Sequence, residues 1–275
     1  MNRQDLYEIY QENLELLENE LEQVKKMTQI NIGKLKYEKE NANISGKVEK
    51  LEYDVLGGTR LYTFLLCSWF EARLKKILYE NSSVAFSDNE RKDVLDADQM
   101  DVKWRRCLNL AVCKSYGFTF NKNQVDYTAS FINNADALRY YQTVYSYLGD
   151  IKQAITVRNR LAHGQWKIQL NSKETNFAGT DVNDFLTQNC NIQKLDLLYN
   201  AYRIMAEVIS SYVVYKDKIL TRNFQNDLEK KIKIIDNYRK RIEKSNFEDY
   251  CNLFYKKECE ERERKSKFYK EVSRL

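Results

Sequence analysis

The sequence predicts an all-α protein, on the evidence of its composition and the spacing of its apolar residues. The 275 residues include no proline and only eight glycines, whereas folds rich in strands and tight turns use both residues often. Several segments place apolar residues three or four positions apart, which keeps them on one face of a helix. The chain is also long enough to bury a full core. We therefore expect one helical domain with further helices appended to it.

The first 56 residues predict a coiled-coil-like helical arm. Its apolar residues alternate in spacings of three and four, namely Tyr7, Tyr10, Leu14, Leu17, Leu21 and Val24. Fewer than four clean heptads are present, so two arrangements fit equally well. The arm is either half of an intramolecular hairpin that turns at residues 41–45 or one strand of a parallel dimer.

Residues 57–220 predict the central helical domain. The Gly57-Gly58-Thr59 sequence is interpreted as its boundary because paired glycines usually interrupt regular structure. A wide apolar helix is expected after it, up to residue 78, and a loop or short helices at 81–100. A helix over 102–116 should end at Gly117, since glycine readily adopts the left-handed conformation that closes a helix.

The second half of this domain predicts two more helices. Residues 138–162 carry apolar residues at helical spacing, and Gly164 follows at the position of a C-terminal cap. The sequence QWKIQL at 165–170 alternates polar and apolar residues, which favours a short β-hairpin. A long apolar helix is expected at 195–220.

Residues 221–275 predict a charged helical tail that carries the positive excess of the chain. From residue 216 onward there are 18 Lys and Arg against 12 Asp and Glu, while the whole chain has a net charge of +5. Such a tail fits a polyanion such as RNA, although mixed charges are also typical of a solvated helix face.

The sequence predicts no membrane-spanning helix, no metal site and no disulfide bond. No apolar run reaches the roughly 20 residues that span a bilayer, and no signal sequence opens the chain, so we expect a cytoplasmic protein. The six cysteines form no CxxC pair and the chain has one histidine. This excludes a Cys/His zinc set, and we expect reduced thiols, no metal and no cofactor.

The single histidine, His163, is the main functional clue. It follows Arg158 and Asn159 near the end of a predicted helix. Asn159 and His163 are four residues apart and share a helix face, and the long side chain of Arg158 can reach the same region. Together they offer a cation for a phosphate, an amide that orients it, and a proton carrier. A capping histidine beside a surface arginine is the alternative, purely structural interpretation.

The sequence VRNRLAHG at 157–164 resembles the signature of HEPN domains, in which an arginine and a polar residue precede a histidine by a few positions. The resemblance implies an antiparallel helical bundle that forms a homodimer with two motifs facing each other. It also implies a metal-independent endoribonuclease that uses Arg158, Asn159 and His163. Glu71 and Lys75 fit a Glu/Lys pair that some members carry on an early helix, with a supporting role.

The function expected from this resemblance is RNA cleavage in a bacterial antiphage, abortive-infection or toxin system, under control of a regulatory protein partner or a larger complex. Arg160 and Trp166, which flank the motif, are candidates for RNA contacts. Because one histidine cannot readily be both base and acid in one step, catalysis should need a dimer. The alternative function is a non-catalytic HEPN-like scaffold that binds RNA or a partner protein.

Overall fold

The computed structural model describes residues 2–41, 45–80, 85–131, 134–164, 166, 191–215 and 218–273, and every regular element in these ranges is helical. The all-α prediction is therefore confirmed for the described residues. The predicted β-hairpin at 165–170 lies outside them, apart from Trp166. The α-helices are α1 (Arg3–Asn41), α2 (Ser45–Leu78), α3 (Asp88–Leu95), α4 (Met100–Tyr116), α5 (Ala135–Tyr147), α6 (Asp150–Ala162), α7 (Ile192–Val214), α8 (Arg222–Glu243) and α9 (Phe247–Val272), and a 3-10 turn covers Thr128–Phe131.

Helices α1 and α2 form an antiparallel hairpin, which is one of the two arrangements that the sequence allowed. Near the turn, Lys47 of α2 donates to Glu38 of α1 over 2.6 Å. Far from the turn, the Trp69 indole Nε1 donates to Glu18 over 3.0 Å. Partners that lie earlier on α1 thus lie later on α2. The predicted turn at residues 41–45 matches the ends of the two helices.

The predicted boundary at Gly57-Gly58-Thr59 is wrong as a break between helices, because α2 runs through it without interruption. Gly58 is there for a close contact: a Cβ atom at this position would collide with Thr28 Oγ1 of α1. Thr28 is fully buried, and its hydroxyl donates to the Val24 carbonyl over 2.8 Å. The glycine therefore lets the two long helices approach each other. It does not serve the other common role of glycine, which is to give a turn its backbone freedom.

Helix α4 runs through the core and ends as predicted. It packs against α7, α3, α6, α2 and α5, and most of its side chains are buried. Gly117 caps it at φ +73°, in the left-handed region where glycine is favoured. Within residues 81–100, predicted as a loop or short helices, Ser87 and Glu90 form a capping box that starts the short helix α3.

The single helix predicted at 138–162 is in fact two helices, α5 and α6, separated by Leu148 and Gly149. Leu148 and Ile151 are both fully buried, so the apolar spacing continues across the break and does not reveal it. Gly149 lies against α4, where a Cβ would stand 3.0 Å from Arg105 Nη2.

The charged tail is helical, as predicted, and packs onto the rest of the molecule. Helix α8 lies on α7 and α5, and α9 lies along α1. The apolar stripe of α8 is buried at Phe224, Leu228, Ile232 and Ile235. At the crossing of α9 over α1, a Cβ on Gly33 would stand 2.6 Å from the Phe254 carbonyl oxygen. The main hydrophobic cluster of the described residues thus includes side chains from all three predicted segments.

None of the described helices combines the length and the apolar character needed to cross a lipid bilayer.

Candidate active site at the end of helix α6

Helix α6 carries the motif and packs on α2. Val157 and Leu161 are fully buried and contact Phe64 of α2, forming a small apolar cluster next to the main core. These two residues are four positions apart and define the inner face of α6. Helical geometry puts Arg158 about 100° around the axis from Val157, and Asn159 and His163 on the outer side.

The guanidinium of Arg158 forms an ion pair with the carboxylate of Glu71 on α2. The Arg158 side chain is 27% exposed and the Glu71 side chain is 36% exposed. The pair lies at the mouth of a cleft and remains accessible. Two residues that the sequence singled out separately, one in the motif and one on an early helix, therefore meet in the fold. A carboxylate at this position orients the planar fork of the arginine.

The cleft beside this ion pair has a volume of about 300 Å³ and lies between α2, α6 and the start of α4. Lys75 and Asn159, which the sequence also singled out, line it together with Glu71 and Arg158. The Lys75 ammonium lies 5.7 Å from the centre of the Tyr10 ring, a distance at which a cation and an aromatic face attract each other.

Asp98 and Lys103 complete the polar lining of the cleft, and sequence reasoning missed both. They lie just before and within α4, far from the motif in sequence, and no local pattern marks them. Of the described side chains, three cationic ones and two carboxylates thereby line the cleft. Since Glu71 is already paired with Arg158, the balance favours an anionic guest.

His163 is the C-cap residue of α6 and does not line the cleft. Its backbone N–H donates to the Asn159 carbonyl over 3.1 Å, and Gly164 follows at φ +80°, which confirms the predicted cap. The side chains of His163 and Asn159 are both exposed. Asn159 therefore touches both the cleft and the outer face, whereas His163 lies on the outer face only.

Of the two predicted RNA-contacting residues, neither lines the cleft. Arg160 is partly buried, and Trp166 keeps 40% of its exposure. The remaining residues of the segment after the motif lie outside the described ranges.

Cys67 lies beneath the ion pair and is fully buried. Burial raises its pKa to about 12, against a smaller opposing effect of Arg158, so it remains a neutral thiol at neutral pH. The described cysteines Cys67, Cys107, Cys113, Cys251 and Cys259 form no disulfide with one another. Among the described side chains, no three of the types that ligate metals are grouped to hold an ion.

Comparison with known proteins gives no further guide to this site, because no family model, curated protein or solved structure matches the chain.

Proposed function

We propose that this protein is a metal-independent endoribonuclease of HEPN type, whose active site combines Arg158, Asn159 and His163 from two copies of the chain. The observation that carries the proposal is the ion pair between Arg158 and Glu71 at the mouth of a cation-lined cleft. It brings Arg158 and Asn159 of the motif together with the Glu71/Lys75 pair of α2, while His163 lies on the adjoining outer face. Neither the motif at 158–163 nor the Glu71/Lys75 pair by itself requires the two groups to be neighbours in the fold.

The chemistry asked of these residues is transesterification at phosphorus. A base removes the proton of an RNA 2′-hydroxyl, the 2′-oxygen attacks the adjacent phosphorus, and the bond to the 5′-oxygen breaks as an acid protonates that oxygen. The products are a 2′,3′-cyclic phosphate and a 5′-hydroxyl. Imidazole suits both proton transfers, and the guanidinium of Arg158 can stabilise the charge that builds on the phosphoryl oxygens.

The outward position of His163 supports a composite site. A concerted cleavage needs a base and an acid at the same time, whereas one chain supplies one histidine. Two copies that meet across a two-fold axis on the outer face of α6 would bring two imidazoles and two arginines to one RNA strand. Asn159, which contacts both this face and the cleft, would then orient the phosphate or the imidazole.

The setting that fits such an activity is a bacterial antiphage, abortive-infection or toxin system in the cytoplasm, where RNA cleavage stops growth and a partner protein controls it. Free RNA cleavage would harm the host cell, so control by a partner is part of the proposal.

The test is incubation of the purified chain with total cellular RNA in excess EDTA, followed by gel analysis and end-group chemistry. Wild type should leave cyclic phosphate ends. His163→Ala and Arg158→Ala should each lose activity by at least about 100-fold, the usual effect of losing acid–base or charge stabilisation. Lys152→Ala, on an exposed position of the same helix, is the matched control and should cleave like wild type. Full activity of His163→Ala would contradict the proposal.

The dimer is tested by mixing chains with RNA in excess. Inactive His163→Ala chains added to wild type should lower the activity per wild-type chain, because mixed dimers hold one histidine. An unchanged activity, with subunit exchange shown by a labelled chain, would contradict the composite site.

A non-catalytic scaffold is the second candidate, and one observation favours it. The Arg158 guanidinium already has a carboxylate partner, as expected of an arginine that joins two helices. On this reading, RNA or a partner protein would bind equally well to wild type and to His163→Ala, and neither would cleave.

A further inference from the structure

We propose that a second cleft, on the other side of α4, binds the phosphate of a nucleoside phosphate. This basic cleft lies between α4, α5 and the loop after α4, and has a volume of about 330 Å³. Its polar lining consists of Arg105, Arg106, Lys122, Asn109, Asn123 and Gln124. The proposal does not depend on the ribonuclease site, because none of these residues lines the cleft beside Arg158.

The charge of the basic cleft is the first argument. Among the described residues, three cationic side chains and no carboxylate line it. Lys122 forms an ion pair with Asp93 over 3.4 Å, and half of the lysine side chain remains exposed. Asp93 itself does not line the cleft. Cations gathered in a partly enclosed space repel each other, and a bound anion relieves that repulsion.

The unused hydrogen-bonding capacity of the two arginines is the second argument. The Nε atoms of Arg105 and Arg106 are buried and have no hydrogen-bond partner among the described residues. Arg106 is held in place because its Nη1 donates to the Asp93 carbonyl over 2.9 Å. The guanidinium of Arg105 lies 4.9 Å from the centre of the Tyr145 ring. Both guanidinium groups are thus held in position at the wall of the cleft, and a planar fork of this kind can bind a phosphate through two parallel hydrogen bonds.

Hydrogen bonds between α4, α5 and the loop fix the walls of the basic cleft. Two side chains on different helices donate to the same carbonyl of the loop: Asn109 Nδ2 over 3.1 Å and Tyr145 Oη over 2.9 Å, both to Val125. Asn109 is itself buried and accepts a hydrogen bond from Tyr141 over 2.8 Å. These bonds fix the loop relative to α4 and α5, so the cleft does not have to form when a ligand arrives.

The amides of Asn123 and Gln124 at the rim extend the site beyond a bare phosphate. Carboxamides offer both donors and acceptors, as the edges of a nucleobase require. The phosphate could belong to a free nucleotide or to an RNA strand, since the recognised chemistry is the same.

The test is calorimetric titration of the full chain at low salt with two probes, ATP and a 2′-O-methyl single-stranded RNA of about ten nucleotides, a typical length for such sites. Arg106→Gln and Lys122→Gln should each weaken binding about tenfold, since each removes a charged contact to phosphate. Asn123→Glu, at an exposed loop position, puts a carboxylate at the rim and should abolish binding without affecting the fold.

Lys230→Gln is the control, because it removes the same charge at an exposed position of α8. It should bind like wild type. Weakened ATP binding in the cleft variants identifies a free nucleotide as the ligand, and weakened RNA binding alone identifies the strand. The proposal is overturned if folded Asn123→Glu binds both probes as wild type does, or if wild type binds neither.

Discussion

Helix α2 packs on α1 through a tight contact at Gly58, and on α6 through an apolar cluster beside a partly open ion pair. On the α1 side, Gly58 leaves no space for a Cβ atom against buried Thr28. On the α6 side, the ion pair of Glu71 and Arg158 keeps about a third of its exposure and borders a cleft. Close packing tolerates little change in volume, whereas exposed ion pairs contribute little to stability. The difference separates the contact that holds the fold from the one available for chemistry.

The largest effect on stability is expected from Gly58→Ala. The added methyl group collides with Thr28, so we expect a loss of about 1–3 kcal/mol in the free energy of unfolding, as is usual for overpacking. Guanidinium denaturation measures it. Gly57→Ala is the matched control in the same helix, because nothing lies within 4 Å of its added Cβ, and it should stabilise the protein by up to about 1 kcal/mol.

Removing the Thr28 hydroxyl tests whether the clash with it causes the loss of stability. Thr28→Ala combined with Gly58→Ala should recover part of the loss, since the colliding hydroxyl is gone. If the double variant is no more stable than the sum of the two single effects predicts, a clash with Thr28 is not the reason.

An intermediate effect is expected at Glu38, which is 1% exposed and joins α9 to the hairpin. It accepts hydrogen bonds from Lys47 over 2.6 Å and from Arg262 over 3.0 Å. Glu38→Gln should lower the free energy of unfolding by about 1–2 kcal/mol at pH 7, since hydrogen bonds to a charge are lost. Urea denaturation, with Glu49→Gln at an exposed position as control, measures it.

The same residue predicts a dependence on pH. The hydrogen bond from Lys47, and then that from Arg262, hold the pKa of Glu38 below its ordinary value. Its contribution is therefore complete above the pKa of an unpaired glutamate, about 4.3, and is lost as the pH falls through the lowered pKa of the folded protein. The stability difference between wild type and Glu38→Gln should shrink in acid. A constant difference down to pH 3 would contradict this.

The smallest effect on stability is expected at the open contact. Glu71→Gln should change the free energy of unfolding by less than about 1 kcal/mol, because the ion pair is partly exposed. Its effect on RNA cleavage should be larger: kcat should fall as Arg158 loses its orienting carboxylate, and KM should not rise because the cleft becomes more positive. Proportional losses in stability and activity would indicate a structural role only.

Much of the fold could be predicted from the sequence, because helical periodicity records which face of each helix is buried. Periodicity does not record which helices meet. For the arm, it does not distinguish a hairpin from a dimer. At Gly149, it continues across the break between α5 and α6 because Leu148 and Ile151 are both buried. Gly58 was misinterpreted because the same residue serves turns and close helix contacts.

The candidate site could be predicted only as far as short spacings reach. The Arg-Asn-His motif and the Glu71/Lys75 pair each lie within one helix, so local patterns found them, and the fold brought Arg158 against Glu71. Lys103 and Asp98 share no pattern with either group, since they reach the cleft through the packing of α4. The basic cleft was missed for the same reason, because α4, α5 and a loop contribute to it.

The crossing of α9 over Gly33 also sets an order of events during synthesis. Helix α9 follows all the other described helices in the chain, yet it covers α1, which is synthesised before them. When α2 is complete at Leu78, the groove at Gly33 still lacks Phe254 and Glu38 still lacks Arg262, which both follow more than 170 residues later. Contacts so distant in sequence are slow to form, so this groove stays uncovered until α9 has been synthesised and has packed against α1.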